Sequence, residues 1–120
     1  MASPPLPPVV VSRVVDGPVA PKVEQASLLA AGWKPARDAA GTPPGVVGAV
    51  LRFEGIVRRG EPSEELGGEE RELLALDYQT YDPMAERELQ SLAGRIADQH
   101  RLTSLVALHS RGRVAVGEVS

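Results

Sequence analysis

At 120 residues and a net charge of -3, the chain is long enough to bury one core and too short for two domains. Its 42% hydrophobic and 24% charged content excludes a disordered chain, and with only 3% aromatics the core must rest on Val, Leu, Ile and Ala. The absence of cysteine excludes disulfides, zinc thiolate sites and a cysteine nucleophile, and it suits a reducing compartment.

The opening MASPPLPP lacks the basic and long apolar regions of a secretory signal. No stretch approaches the ~20 apolar residues of a membrane span, so a soluble, cytoplasmic protein without a membrane partner is expected. Pro4, Pro5, Pro7 and Pro8 predict a flexible, polyproline-like arm over residues 1–8, with a single domain over 9–120. Val9 to Val15 is β-branched and predicts a strand, ended by the turn residues Asp16-Gly17-Pro18. From Pro21 through Ala31, the residues Val23, Ala26, Leu28, Leu29 and Ala30 predict a short helix, with proline tolerated in its first turn and Gly32 at its stop.

Residues 33–45 carry three prolines and two glycines and read as a loop, with Trp33 lying over the first helix. Val46 to Arg58 then predicts a long strand, Gly48 or Gly55 marking a bulge or a close backbone approach. The Gly- and Glu-rich stretch 59–71 predicts a mobile loop. Glu72 to Thr80 alternates Leu74, Leu76 and Tyr78 with Ala75, Asp77 and Gln79, which predicts a strand paired antiparallel with 46–58. Asp82-Pro83 reads as an N-cap followed by a first-turn proline. The helix it opens has Ala85, Leu89, Leu92, Ala93, Ile96, Ala97 and His100 on its apolar face. A short strand at Leu105–His109, a turn at Arg111–Arg113 and a strand from Val114 to Ser120 complete the pattern. The last strand ends as an edge, which predicts self-association through residues 114–120.

Charge is unevenly spread. Residues 1–60 hold seven Lys/Arg against four Asp/Glu, or +3, and residues 61–120 hold six against twelve, or -6. The one basic doublet, Arg58-Arg59, is too small to drive phosphate-backbone binding, so a nucleic-acid partner is not expected. Zinc spacing, Gly-rich phosphate loops and serine elbows are absent from the sequence, and no metal or cofactor is expected.

Three segments, GAVLRFEGIVR, LALDYQTYDPMAERELQSLA and VALHSRGRVAVGE, occur in an order and spacing that resembles the large, catalytic subunit of molybdopterin synthase. The resemblance runs from about Gly48 to Glu118. It implies an α+β, hammerhead-like domain that forms a homodimer. Each large subunit would receive the C-terminal Gly-Gly thiocarboxylate of a small, ubiquitin-like sulfur carrier in a heterotetramer. The implied reaction places two sulfurs on cyclic pyranopterin monophosphate for molybdenum cofactor biosynthesis, with no metal in the large subunit.

The resemblance also implies a substrate pocket lined by Ile56, Val57 and Arg58, with Phe53 packed beside the pterin or the incoming tail. A guanidinium at a strand end suits such a phosphate, because it is permanently charged and presents several donors in a fixed plane. The family pattern continues beyond V-G-E with a histidine–arginine pair, a helix and two lysines. Lys22 and Lys34 both lie upstream of the matched segments, so no catalytic lysine is assigned. The competing expectation is a catalytically inactive, shortened relative that binds the carrier or itself.

Blander readings stand beside these. Arg58 contacts substrate or is a solvated strand-end arginine. Arg59 pairs with the glutamates Glu61, Glu64, Glu65, Glu69 and Glu70, which form a solvated loop. His109 is a structural hydrogen-bonding residue, His100 half-buried core, and Tyr78 and Tyr81 pack at the strand-to-helix turn.

Overall fold

The computed structural model describes residues 7–31, 47–62 and 70–120. In chain order they form β1 (Val9–Asp16), α1 (Pro21–Ala30), β2 (Gly60–Pro62), β3 (Glu70–Glu72), β4 (Ala75–Tyr78), α2 (Met84–Gln99) and β5 (Ser104–Ala115). The class is α+β, as expected. Residues 1–6 of the expected arm, Trp33, Lys34 and Glu64, Glu65 and Glu69 lie outside the described residues, as do the side chains of Glu61 and Glu70.

β5 is the axis of a three-stranded sheet ordered β1-β5-β4. Its residues Ser104 to Arg111 run parallel to β1, and Gly112 to Ala115 run antiparallel to β4. One strand replaces the two strands and the turn read from residues 105–120. The Arg-Gly-Arg stretch has turn chemistry, but Gly112 uses it within the strand. Its φ of 86° is available to glycine at little cost, and it sits where β5 exchanges one partner for the other.

After Ala115 the chain reverses at Val116-Gly117, where Gly117 has a φ of 87°. The turn is closed by the Glu118 N–H on the Ala115 carbonyl at 3.0 Å and by the Ala115 N–H on Glu118 Oε1 at 2.8 Å. Residues 114–120 therefore do not form an open edge. Val114 is fully buried opposite Leu76, and Ile56 pairs with Val119. The expected self-association through this segment loses its basis.

α2 lies against β1 and β5. The residues facing the sheet follow an i, i+4 seam in which Ala93 and Ala97 are buried and Ala85 and Leu89 half-buried. Small residues at the seam let the helix backbone approach the strands. Leu92 and Ile96, placed on the core face by periodicity, are exposed, and His100 is an exposed C-cap rather than core. Asp82 does not cap the helix; its carboxylate meets Arg111 instead. On α1 the inward residues are Val23, Glu24, Ser27 and Leu28, while Ala26, Leu29 and Ala30 face outward.

The predicted strand 46–58 is the largest difference. Its described part, from residue 47, carries no strand up to residue 58 and, among the described residues, pairs at its end through the Ile56–Val119 bridge. Among the described residues it does not pair with residues 72–80, and β4 pairs with β5 instead. The two segments meet farther along, where β2 and β3 form a short antiparallel ribbon, extended by the Leu73 N–H on the Arg59 carbonyl at 2.7 Å. Leu74 precedes β4 and is exposed, so the expected Leu74-Leu76-Tyr78 face is broken.

Candidate functional site

Of the predicted site residues, Ile56, Val57 and Arg58 fall at the end of the 47–58 segment, where backbone hydrogen bonds hold Gly55 and Val57, and Phe53 lies before it. The Val57 N–H donates to the Glu118 carbonyl at 3.1 Å, the Gly117 N–H to the Val57 carbonyl at 2.9 Å, and the Ser120 N–H to the Gly55 carbonyl at 2.9 Å. F-E-G-I-V-R is thereby locked to V-G-E-V-S, two motifs about sixty residues apart in the chain. Three more bonds anchor the second motif: the Val19 N–H on the Val119 carbonyl, the Ser110 N–H on the Ser120 carbonyl, and the Val116 N–H on the Leu74 carbonyl. Residues 116–120 are a hub joining the end of β1, the start of β4, the middle of β5 and the 55–57 strand.

Val57 is buried at the centre of this junction and acts as its packing residue. Ile56 is half exposed, and Arg58 stands exposed at the strand end, with the ribbon β2–β3 beginning two residues later. Phe53 is 92% exposed and does not pack beside Ile56, Val57 and Arg58. The close approach expected at Gly55 is made by Ser120, whose hydroxyl would sit 3.5 Å from an added Cβ, an ordinary contact.

On the other side of the hub, Ser110 is fully buried, and its hydroxyl finds no hydrogen-bond partner among the described residues. His109 is exposed, meets Tyr78 edge-on at 5.0 Å, and places Nδ1 2.8 Å from the Ser110 carbonyl. A carbonyl only accepts, so Nδ1 carries the proton and the ring is held by its own backbone. Arg111 bridges two carboxylates, donating from Nε to Asp16 at 2.8 Å and from Nη1 to Asp82. It ties the end of β1 and the entry to α2 to β5. Among the described residues no group of three or more His, Asp or Glu is placed to hold a metal ion.

One arginine escaped the sequence reading. Arg52 donates twice to Glu24 of α1, at 2.8 and 2.6 Å, and once to Glu54 at 2.8 Å. These hydrogen bonds, to Glu24 first and Glu54 second, raise its pKa above the ordinary arginine value, so its charge is permanent. The Glu24 contact spans 28 residues and carries no local signal; the Glu54 contact, two residues away, was legible as an alternating Arg-x-Glu pair.

Residues 23–120 match the MoaE protein family. The chain belongs to that family. All three motifs and the hub that joins them fall inside the matched range. Among curated proteins, this MoaE-family chain is similar to a molybdopterin synthase catalytic subunit of Sclerotinia sclerotiorum, with 33% identity over 73 residues. Those residues cover 61% of this chain and 34% of that protein, so the chain spans about a third of the length of the relative it matches. No solved structure gives a significant match. Among the described residues no helix is long and apolar enough to cross a membrane.

Proposed function

We propose that this MoaE-family chain acts in molybdenum cofactor biosynthesis as a large subunit of molybdopterin synthase. It takes sulfur from the thiocarboxylated tail of a small, ubiquitin-like carrier and places it on cyclic pyranopterin monophosphate. The observation that carries this reading is the clamp of Gly55–Val57 on Gly117–Ser120, which leaves Arg58 exposed at the end of a fixed strand. A guanidinium so held can offer two parallel N–H donors to a phosphate, and its position is set by backbone bonds rather than by loop motion. Ile56, half exposed next to it, offers an apolar flank for a flat ring.

The chemistry asked of the remaining residues is modest. The sulfur arrives already activated as a thiocarboxylate, a nucleophile that needs no base to deprotonate it at neutral pH. What the large subunit must supply is orientation of the phosphate and pterin relative to that sulfur, together with exclusion of water from the acyl group. Lys22, on the exposed face of α1, is not part of this arrangement. The reading includes a homodimer of large subunits within a heterotetramer and a cytoplasmic location. The family relationship favours the synthase over an inactive carrier-binding module.

The test is single-turnover conversion of cyclic pyranopterin monophosphate with thiocarboxylated carrier, run beside Arg58→Ala. Loss of one charge-assisted phosphate contact is expected to reduce turnover by about tenfold to a hundredfold, corresponding to roughly 1.5–3 kcal/mol, with carrier binding retained. Equal turnover by the two proteins would remove Arg58 from the site.

A further inference from the structure

Glu118 is exposed, yet its side chain and its main chain are both engaged. Its Oε1 accepts the Ala115 N–H at 2.8 Å, its N–H donates to the Ala115 carbonyl at 3.0 Å, and its carbonyl accepts the Val57 N–H at 3.1 Å. One residue therefore connects the end of β5 to the residue before Arg58. Beside it, the Gly117 N–H donates to the Val57 carbonyl at 2.9 Å. Gly117 allows the chain to reverse, but a glycine with open space around it does not select one reversed conformation. The carboxylate supplies that selection. Its charge-assisted bond back to Ala115 fixes where residues 117 and 118, and with them the two bonds to Val57, can lie.

We infer that Glu118 is a positioning residue for phosphate recognition, its carboxylate setting, through Val57, the direction in which Arg58 leaves the strand. The inference rests on the proposed contact of Arg58 with the pyranopterin phosphate and adds to it the group that holds that arginine in place. Arg58 directly follows Val57, and Val57 is only 3% exposed, so a shift of the turn moves a packed residue and its neighbour together. A guanidinium binds two phosphate oxygens at once only when it is held to within about 0.5 Å, so such a shift is felt as lost affinity.

The sign of the effect separates this role from two others. By its charge alone a glutamate repels a phosphate, and neutralising it would tighten binding. A turn residue that only supports the fold would change stability and leave the phosphate affinity of the folded chain untouched. A positioning residue weakens binding when it is removed, and the loss disappears once Arg58 is absent. The β4–β5 ladder, buried Val114 and the Ser110 N–H on the Ser120 carbonyl do not involve the carboxylate, so variants at 118 are expected to fold.

The experiment is equilibrium binding of cyclic pyranopterin monophosphate to the full chain without carrier, beside thermal melting and hydrogen exchange at Val57. Glu118→Ala is expected to weaken binding about fivefold and to lower Val57 protection by a similar factor, the worth of one hydrogen bond. Glu118→Gln keeps the length and an acceptor oxygen, and is expected to restore both to within about twofold of the wild type. Glu118→Asp keeps the charge but is a methylene too short, and is expected to behave like Glu118→Ala. It carries the test if the alanine variant does not melt cooperatively. In an Arg58→Ala background, Glu118→Ala is expected to add less than about twofold to the loss. Tighter binding by Glu118→Gln, undiminished affinity in Glu118→Ala, full additivity with Arg58→Ala, or a wild-type chain that does not bind would each overturn the inference. Because carrier is absent from this measurement, binding by a chain that transfers no sulfur in the turnover assay refutes the synthase reading and not the role of Glu118.

Discussion

β5 and the 47–56 segment are sequences of one kind with opposite fates. Both are apolar, β-prone runs interrupted by arginine. Yet Ser110 and Val114 of β5 are fully buried, while Leu51 and Phe53 are more than nine-tenths exposed. The difference is not in the side chains. β5 has β1 along one part of its length, β4 along the rest and α2 packed against it, whereas among the described residues 47–54 has no strand beside it. Burial in a sheet is conferred by neighbours, and a run of β-branched residues states only that neighbours would be welcome.

The sharpest way to break this comparison is to put the same charge in both places. Val114→Asp buries an unpaired carboxylate at a position with no solvent access, and a loss of about 4 kcal/mol or more is expected, enough to abolish the cooperative thermal transition. Leu51→Asp is expected to move stability by less than about 0.5 kcal/mol. Equal effects would mean that the 47–54 segment is packed in solution.

A smaller effect separates the hub from the strand it holds. Gly117→Ala forces a side chain into the left-handed region at φ 87°, with open space around the new Cβ, so strain alone is expected to cost about 1 kcal/mol. Hydrogen exchange then locates it: protection should fall at Val57 and Ser120 together, since both depend on the turn. Loss confined to residue 117 would show that the clamp is independent of the turn. The smallest effect is expected from Arg52→Ala. The bridge to Glu24 is exposed and is worth about 0–1 kcal/mol, and whatever it contributes should vanish in 1 M salt.

Much of the fold was legible where local chemistry decides it. β1, the span of α1 and the extent of α2 follow from β-branching, proline placement and helical periodicity, and each lies within a residue or two of its expected limits. What was not legible is decided by distant partners. Asp82 has the chemistry of a cap, but Arg111, 29 residues on, takes its carboxylate. Leu92 and Ile96 have the right period, but the sheet reaches only the Ala93–Ala97 seam. For the site, Phe53, Ile56, Val57 and Arg58 were named from their motif; in the fold Val57 is buried while Phe53 is 92% exposed, and backbone bonds hold the strand from Gly55 onward. The hub that holds it depends on Gly117–Ser120 closing on residues far back in the chain, and no local pattern announces such closure.

The parallel pairing of β1 with β5 joins residues 95 positions apart, from Val9 with Ser104 to Asp16 with Arg111. β1 has no shorter route into this sheet among the described residues, because β4 pairs with the second half of β5 and not with β1. A ribosome must therefore release the chain through residues 104–111 before β1 finds its strand partner, and until then β1 travels as a valine-rich ribbon without that strand. Closing so long a loop before β1 gains any strand contact makes its docking slow and late, and places the risk of misassociation during synthesis on that strand.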